Sequence, residues 1–539
     1  MTYKIVLLDP ISEDGKNMLR NTPGVEFEEH TGLKGEDLRQ CLNQFDGAIA
    51  RSGVKITAES LEGNTRLKAI ARAGVGVDNI DTKAATRRGI IVMNTPGGNT
   101  VSTAEHTFAL ILALSRNIAP AHQSLVEGRW DRKLFTGHQL EGKILGIVGL
   151  GRIGQVLAGY AKAFKMKIIG LDPFFTQQKA DELGITLAEN FHALLPQVDF
   201  LTVHTPINDQ TRGMFGKKEL ELLKHGAKLI NCARGGIYDK DTLVAGLESG
   251  KIGGVALDVY EEEPCTNHPL FGKKNVVCTP HLGASTEEAQ TNVALEAVEL
   301  LLDYFTKGSI RQAVNFGTLD AAALASLRSS LNVAYRLGIL AAQISFEPIT
   351  SVKMKYKGEI AKKDTNLIST SFAAGLLSAS KASDVNIVSA ASMLEERGIN
   401  LISEKTPEAG EFSSLITAEI NNSMTLSGTL FGNSMPRLVM MNGYRLESFL
   451  DGELVFIDHL DQPGVIGSIG NAFAKYNINI SAMTVGRVTP KPGGQAIAVL
   501  AIDAEPAAET LKDIESLKSI GRVAVAKLPP AEQFPEWMG

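Results

Sequence analysis

Lys143-Ile-Leu-Gly-Ile-Val-Gly-Leu-Gly-Arg-Ile-Gly154 is the stretch whose reading decides the fold. Ile144 to Val148 is a short apolar run rich in β-branched residues, the pattern of a strand buried in a parallel sheet. Gly149, Gly151 and Gly154 follow at G-x-G-x-x-G spacing. The first permits a sharp turn, the second lets backbone approach a pyrophosphate, and the third lets the next helix pack close to the strand. That helix should begin near Arg152 and turn its N-terminal N–H groups toward phosphates. A second strand, Lys167 to Leu171, leads to Asp172, placed where an acid meets the ribose hydroxyls. The glycines alone say little, but strand, glycines, helix, strand and acid in register point to a dinucleotide. An acid at 172 repels a 2′-phosphate, so the expected cofactor is NAD rather than NADP.

The chain has 539 residues and should hold several domains, because single cores rarely grow past roughly 250–300 residues. A net charge of −6 gives no electrostatic reason to expect nucleic acid or an anionic membrane as a partner. No apolar run is long enough to span a bilayer, and Met1 to Asp9 reads as a first strand rather than a signal peptide, so a cytoplasmic protein is expected. Cys41, Cys232, Cys265 and Cys278 show neither C-x-x-C nor metal-ligand spacing and read as reduced thiols, with no metal expected.

Residues 1–98 alternate strands (Lys4–Leu8, Gly47–Ala50, Leu67–Ala71, Ile90–Met93) with helical patterns, for which Ser12 and Thr57 are candidate N-caps. This is βαβα patterning, which implies a parallel doubly wound sheet. Arg51 and Ser52 follow one of these strands, and the loop Arg72-Ala-Gly74-Val75-Gly-Val-Asp-Asn79 follows the next. Ligands of open α/β sheets bind beyond the carboxyl ends of strands, so both segments are candidates for the substrate side. Pro96-Gly-Gly98 reads as a hinge into a helix over about Thr100 to Ser115. The nucleotide half continues with strands near Phe200–Val203, Lys228–Asn231, Gly254–Leu257 and Val276–Thr279. A long helix from Ser285 to about Lys307 then leaves it. That helix should return to the first sheet and make the first domain discontinuous. The expected division is 1–98 with 286–315, 99–285, 318–450 and 452–539. The third unit, rich in Ser and Ala with a helix from Ala321 to about Gln343, is an intervening α/β or α+β domain. The last reads βαββαβ, a ferredoxin-like order, with Pro463 suited to a first helical turn.

Three polar residues follow successive strands of the nucleotide half: Arg234 in Asn231-Cys-Ala-Arg-Gly-Gly, Glu263 in Asp258-Val-Tyr-Glu-Glu-Glu-Pro, and His281 in Thr279-Pro-His-Leu-Gly-Ala-Ser. All should stand at the C-terminal sheet edge beside a nicotinamide. Removing hydride from a secondary alcohol requires a base for the hydroxyl proton, and imidazole titrates near neutral pH, which suits His281. A carboxylate bonded to that ring fixes its tautomer and stabilises the imidazolium, the role assigned to Glu263. A guanidinium clamps a carboxylate through two hydrogen bonds, which suits Arg234.

With these residues in place, the chain resembles the D-2-hydroxyacid dehydrogenase family, and within it the long-form enzymes acting on a phosphorylated substrate. The resemblance is carried by Arg72–Asn79, Asn94-Thr-Pro-Gly-Gly-Asn99, Gly149-Leu-Gly-Arg-Ile-Gly154, Val203-His-Thr-Pro206, Asn231–Gly236, Leu257–Pro264 and Pro280–Ser285, and it covers nearly the whole chain. It implies two Rossmann-like domains and NAD-dependent oxidation of the C2 hydroxyl of 3-phospho-D-glycerate to 3-phosphooxypyruvate, the first step of L-serine biosynthesis. It places catalytic roles on Arg234, Glu263 and His281. Cofactor contacts fall on Gly149, Gly151, Arg152, Ile153, Gly154, Asp172, Thr205, Cys232, Ala233, Asp258, His281, Gly283 and Ala284. Substrate contacts are expected at Arg51, Ser52, Gly74, Val75, Arg234 and His281, with Arg51 the first candidate for the phosphate and Arg132 or Lys133 of a neighbouring subunit the second. Val75 departs from relatives that carry Thr there. The C-terminal unit resembles an ACT domain, which implies L-serine as effector at His459, Asp461, Pro463, Gly464, Val465 and Asn479. A homo-oligomer is expected, with a tetramer favoured over a dimer. Arg437 and Arg445 of the intervening unit are weaker anion candidates. A broader 2-hydroxyacid dehydrogenase, a hydroxypyruvate or glyoxylate reductase, and a non-catalytic NAD-sensing protein remain open as alternatives.

Overall fold

The structure, a computed structural model, describes residues 2–317, 321–379, 385–408, 410–432, 434–488 and 493–535, with backbone alone at 321–324. Residues 318–320 and 536–539, at the edges of the third and fourth expected units, lie outside the described residues.

The first sheet is built from β1 (Tyr3–Leu7), β2 (Val25–Glu29), β3 (Gly47–Ala50), β4 (Ala69–Arg72) and β5 (Ile91–Asn94), all parallel, in the order β2-β1-β3-β4-β5. Ser12 caps the helix Glu13–Arg20 by accepting the Gly15 N–H. The helix expected from Thr57 is only a 3-10 turn, Glu59–Leu61. Gly63, at φ +69°, turns the chain before an α-helix can pass its nucleation cost. The long helix Glu287–Lys307 does return here, and Val293, Ala297, Val298 and Leu301 share a core with Ile5, Leu7, Ile49 and Ala71. Asn315 then fastens the chain to β5, accepting the Val92 N–H at 2.9 Å and donating to the Ile90 carbonyl at 2.9 Å.

The second sheet comprises β6 (Ile144–Val148), β7 (Lys167–Leu171), β8 (Thr186–Leu187), β9 (Phe200–Val203), β10 (Ala227–Asn231), β11 (Ile252–Leu257) and β12 (Val276–Cys278). It is parallel throughout, in the order β12-β11-β10-β9-β6-β7-β8. Strand order reverses between β6 and β9, the crevice where such sheets bind ligands. The helix Thr100–Arg116 runs from the Pro96–Gly98 segment under this sheet, where Ala104, Phe108 and Ile111 join a core with Leu145 and Ile147.

A third, mixed sheet holds β13 (Ser351–Gly358), β14 (Asn400–Thr406), β15 (Ser414–Ile420), β16 (Met424–Phe431), β17 (Met435–Met441) and β18 (Tyr444–Phe449), in the order β14-β13-β15-β16-β17-β18. Only the β13–β14 pair is parallel. The helices Ala321–Ile344 and Thr365–Ser378 cross where glycines face each other. A Cβ on Gly338 would lie 2.1 Å from the Phe372 carbonyl oxygen, and one on Gly375 1.9 Å from that of Tyr335. Arg336, fully buried, donates to the carbonyls of Leu450, Pro529, Pro530 and Gln533 and so ties this unit to the end of the next.

The fourth sheet, β19 (Gly452–Leu460), β20 (Ile480–Arg487), β21 (Gln495–Ile502) and β22 (Ile520–Leu528), is antiparallel in the order β20-β21-β19-β22. With the helices Val465–Lys475 and Ala508–Glu515 it forms the βαββαβ unit read from the sequence. Pro463 is not in the first helical turn. Gly464, left-handed at φ +93°, is the N-cap, so the proline stands one residue outside the helix.

Candidate active site

Backbone geometry makes the glycine turn. Gly149 sits at φ +94°, and a Cβ on it would lie 2.5 Å from the His204 carbonyl oxygen. A Cβ on Gly154 would lie 2.2 Å from the Gly149 oxygen, so helix and strand close only on glycine. Gly151 has no atom within 4 Å of an ideal Cβ, and the helix Arg152–Ala163 starts on it with no side-chain cap. Its first N–H groups are therefore open to an anion, with Arg152 exposed beside them and Ile153 half-buried. Thr205 supplies a buried hydroxyl oxygen with no partner next to the same turn. Asp172 is aimed by two backbone bonds, accepting from Leu150 N–H and Phe174 N–H at 2.8 Å each. These features fit a dinucleotide: open donors for the pyrophosphate and a fixed carboxylate for the ribose.

His204 lies under this turn, and burial pushes its imidazole down to about 4 from an ordinary 6.5. Between those values the unfolded chain binds a proton that the folded chain refuses, so folding stability must fall as pH drops through that window. Urea melts from pH 7 to 4 should show a shallower fall for H204Q than for the parent. Identical slopes would contradict the burial argument.

At the other end of the crevice, Glu263 and His281 meet. Glu263 Oε2 lies 2.6 Å from His281 Nδ1, while Oε1 accepts the Tyr260 N–H at 2.9 Å. Burial opposes ionisation of Glu263, but the bonds from His281 and Tyr260 prevail and hold its carboxyl below the usual range. His281 has φ +57°, uncommon for a side-chain-bearing residue, and its side chain is half-exposed, with Nδ1 taken by Glu263. Asp258, expected among the cofactor contacts, is 0% exposed and wholly engaged within the protein. It accepts from Thr279 Oγ1 at 2.6 Å, Leu282 N–H at 2.7 Å and Gly283 N–H at 2.8 Å. Its side chain therefore holds the 281–284 loop from behind, and Gly283 and Ala284 follow on that loop. Cys232 is buried, its thiol pushed up to about 12 by desolvation, and Ala233 N–H is taken by Asn231 Oδ1 at 2.9 Å.

Across the cleft, three guanidiniums gather at the edge of the first sheet. Arg234 Nε donates to Asp78 Oδ2 at 2.9 Å, and its Nη1 donates to the Ala233 carbonyl at 2.6 Å. Arg72 ends β4 with a buried Nε that has no partner. Burial first, and then the charges of Arg234 and Arg51, push it down to about 10. Gly74 and Gly76 make room: a Cβ on the first would lie 1.3 Å from Arg72 Nη1, and on the second 1.8 Å from Arg234 Nη2. Arg51 donates to the Pro10 carbonyl at 3.2 Å, Ser52 is exposed, and the Val75 carbonyl accepts from Asn94 Nδ2 at 2.6 Å. Sequence reasoning quoted Arg72 but gave it no role. The rule that selected Arg51 and Arg234, a polar residue at the carboxyl end of a strand, selects it too. Arg132 and Lys133 stand exposed in the turn Arg132–Phe135.

In the fourth unit His459 is 2% exposed, with Nδ1 2.9 Å from the Leu460 carbonyl and Nε2 buried without a partner. The helix starting at Val465 has no side-chain cap. Asp461, expected to take an ammonium, pairs with Arg487 at 2.8 Å, and Asn479 donates to Asp503 at 2.7 Å. In the third unit Arg437 lies 3.8 Å over the Phe449 ring and Arg445 pairs with Glu411 at 2.7 Å, so neither guanidinium is set aside for an anion.

Residues 108–283 match the NAD-binding domain of D-isomer specific 2-hydroxyacid dehydrogenases, 326–442 the D-3-phosphoglycerate dehydrogenase intervening domain, and 454–519 the ACT domain. D-3-phosphoglycerate dehydrogenase of Archaeoglobus fulgidus is 38% identical over 96% of this chain and 98% of its own. The enzyme of the same name from Bacillus subtilis is 37% identical over 98% of this chain and 100% of its own. Among solved structures, an NAD-dependent formate dehydrogenase from Staphylococcus aureus in complex with NAD is 30% identical and covers 58% of this chain and 99% of its own, with a TM-score of 0.53. A glyoxylate reductase from Paecilomyes thermophila is also 30% identical, at 58% and 98% coverage and a TM-score of 0.54. With an NAD cradle at one end of its crevice and a Glu263–His281 pair at the other, this NAD-dependent oxidoreductase belongs to the D-3-phosphoglycerate dehydrogenase family.

Proposed function

We propose that the chain oxidises the C2 hydroxyl of 3-phospho-D-glycerate to 3-phosphooxypyruvate, opening L-serine synthesis. The observation that carries this reading is the Glu263–His281 pair, set beyond the carboxyl ends of the same sheet that presents Arg234, together with the clustering of Arg234, Arg72 and Arg51. NAD, when bound, accepts the hydride from C2. His281 Nε2 takes the hydroxyl proton as the C2–O double bond forms. Glu263 keeps the proton of the ring on Nδ1 and stabilises the imidazolium. Arg234 holds the substrate carboxylate, exchanging Asp78 for it. Arg72 and Arg51 take the phosphate, whose charge relieves the repulsion among the guanidiniums. In this division residues 1–98 and 286–315 serve substrate, 99–285 NAD, and 452–539 an effector. A substrate without a phosphate would leave two of these guanidiniums without an anion to pair with. Steady-state assays should therefore give a kcat/KM for 3-phosphoglycerate about 100-fold or more above that for unphosphorylated glycerate. Equal values would favour a broader 2-hydroxyacid dehydrogenase.

The same proposal extends to regulation. The unpartnered His459 Nε2 and the uncapped helix at Gly464 offer a donor or acceptor and an anion site, as an amino acid requires. Asp461 can take the ammonium once Arg487 gives way. Titration calorimetry on the full chain should detect L-serine, and H459A should abolish the heat. Parent protein without heat would remove serine and leave the dehydrogenase standing. The largely exposed Trp130, Leu134, Leu125 and Val126 in the nucleotide domain support a homo-oligomer, read here as a tetramer. Four free cysteines fit a cytoplasmic enzyme.

A further inference from the structure

The carboxylate of Asp258 is a buried charge, 0% exposed, and holds the loop that carries His281. Among the described residues, the one basic group within salt-bridge reach of it is His106, whose Nε2 lies 3.2 Å from Asp258 Oδ1. The same Nε2 lies 3.1 Å from Thr279 Oγ1. Because the Thr279 hydroxyl gives its own proton to Asp258 at 2.6 Å, its oxygen can only accept from His106. Nε2 must therefore carry a hydrogen, shared between Thr279 and Asp258, whatever the charge on the ring. His106 belongs to the helix Thr100–Arg116, and Ser102, one turn earlier on the same face, bonds Thr286 Oγ1 at 2.7 Å. One helix face thus grips both ends of the segment 279–286, and His281 stands inside it at a left-handed φ of +57°. A strained residue keeps its place only when its surroundings over-determine it. The titratable groups that border this knot are Glu263, Tyr260, Cys232 and His281.

We propose that His106 is a positioning residue for the dehydrogenation: its Nε2–H fixes Thr279 and Asp258, and these fix the loop that presents His281 to the substrate. It touches neither substrate nor cofactor. The inference rests on the function proposed above only for its kinetic readout. The arrangement is a hydrogen-bond donor at one point, so a side chain that donates from the same place substitutes for it.

The test compares H106F, which fills the space without a donor, and H106Q, which donates. In H106F, kcat for 3-phosphoglycerate should fall about tenfold or more, the scale set by small misplacements of a reacting group, with KM and the affinity for NADH within about twofold of the parent. H106Q should recover most of that loss. Amide hydrogen exchange at Leu282 and Gly283 should quicken about tenfold in H106F and return in H106Q, since their acceptor is what His106 secures. A parental kcat and parental exchange in H106F would overturn the proposal, as would a loss in H106Q equal to that in H106F. If H106F does not fold, T279V removes the oxygen that His106 engages and should give the same loss in kcat alone. Parental kcat in T279V would then overturn it. Should the parent itself fail to oxidise 3-phosphoglycerate, the substrate assignment falls, while exchange at Leu282 and Gly283 still decides the role of His106.

Discussion

The H281N variant should lose about 10³-fold in kcat while binding NADH and 3-phosphoglycerate with little change, since a positioned general base contributes on this scale. Asparagine is the informative replacement because position 281 sits at φ +57°, which asparagine tolerates better than most residues. The backbone bonds of Leu282 and Gly283 to Asp258 then survive, and only the base is lost. E263Q should be milder, about 10- to 100-fold. Gln can still accept the Tyr260 N–H through its carbonyl oxygen, but it cannot balance the imidazolium that forms on His281. The sign of the pH effect follows from the direction of the shift. The Glu263 carboxyl is held below its ordinary range, so its ionised partnership is intact above that range and is lost as pH falls through the lowered value. The acid limb of kcat/KM should therefore belong to the pair and move to lower pH in E263Q, which removes the carboxylate that favours the protonated pair, whereas an unmoved limb would show that the pair is not what titrates. Turnover by H281N within tenfold of the parent would remove His281 from the reaction.

The second large effect is expected at Arg234. R234A should lower kcat/KM for 3-phosphoglycerate by about 10²- to 10³-fold, the cost of removing one partner from a largely desolvated charge pair. R234K should recover little, because a point charge does not reproduce a two-pronged contact with a carboxylate. Stability should move the other way or not at all. Arg234 is one of the two charges that push Arg72 down to about 10, so its removal relieves a like-charge repulsion in the unliganded protein. The partner it abandons, Asp78, is 63% exposed and returns to water at small cost. Catalysis collapsing with the melting temperature unchanged separates a functional arginine from a structural one. A fall in both by similar degree would place Arg234 among the structural ion pairs.

What could be read in the sequence follows from which forces act locally. The strand β6 and its glycines were legible because an apolar run, three glycines and an acid each answer to one local demand, and all of them lie between Lys143 and Asp172. The edge strand β2, Val25-Glu-Phe-Glu-Glu29, was not, since its acids face water and it owes its conformation to the ladder with β1. In the third unit β13 did carry a signal: Val352, Met354 and Tyr356 are buried and alternate with lysines. The helix Thr365–Ser378 carried almost none, because it is buried nearly all round and has no polar face to set a period. In the site, Glu263 and His281 could be inferred from chemistry that needs both. Arg72, at the carboxyl end of β4, answers to the same rule as Arg51 and Arg234. The bond between His106 and Asp258 joins residues distant in sequence, and nothing near either announces the other. Asp461 shows a further limit: its acid was legible, but the Arg487 that occupies it arrives from β20, which β21 separates from β19 in the sheet.

The most direct test follows one hydrogen. In a single turnover of the parent enzyme with 3-phospho-D-glycerate deuterated at C2, deuterium should appear on the reduced nicotinamide and an equal amount of 3-phosphooxypyruvate should form. Reduced cofactor without deuterium, or no reduced cofactor at all with enzyme that binds NADH, would contradict hydride transfer at this site.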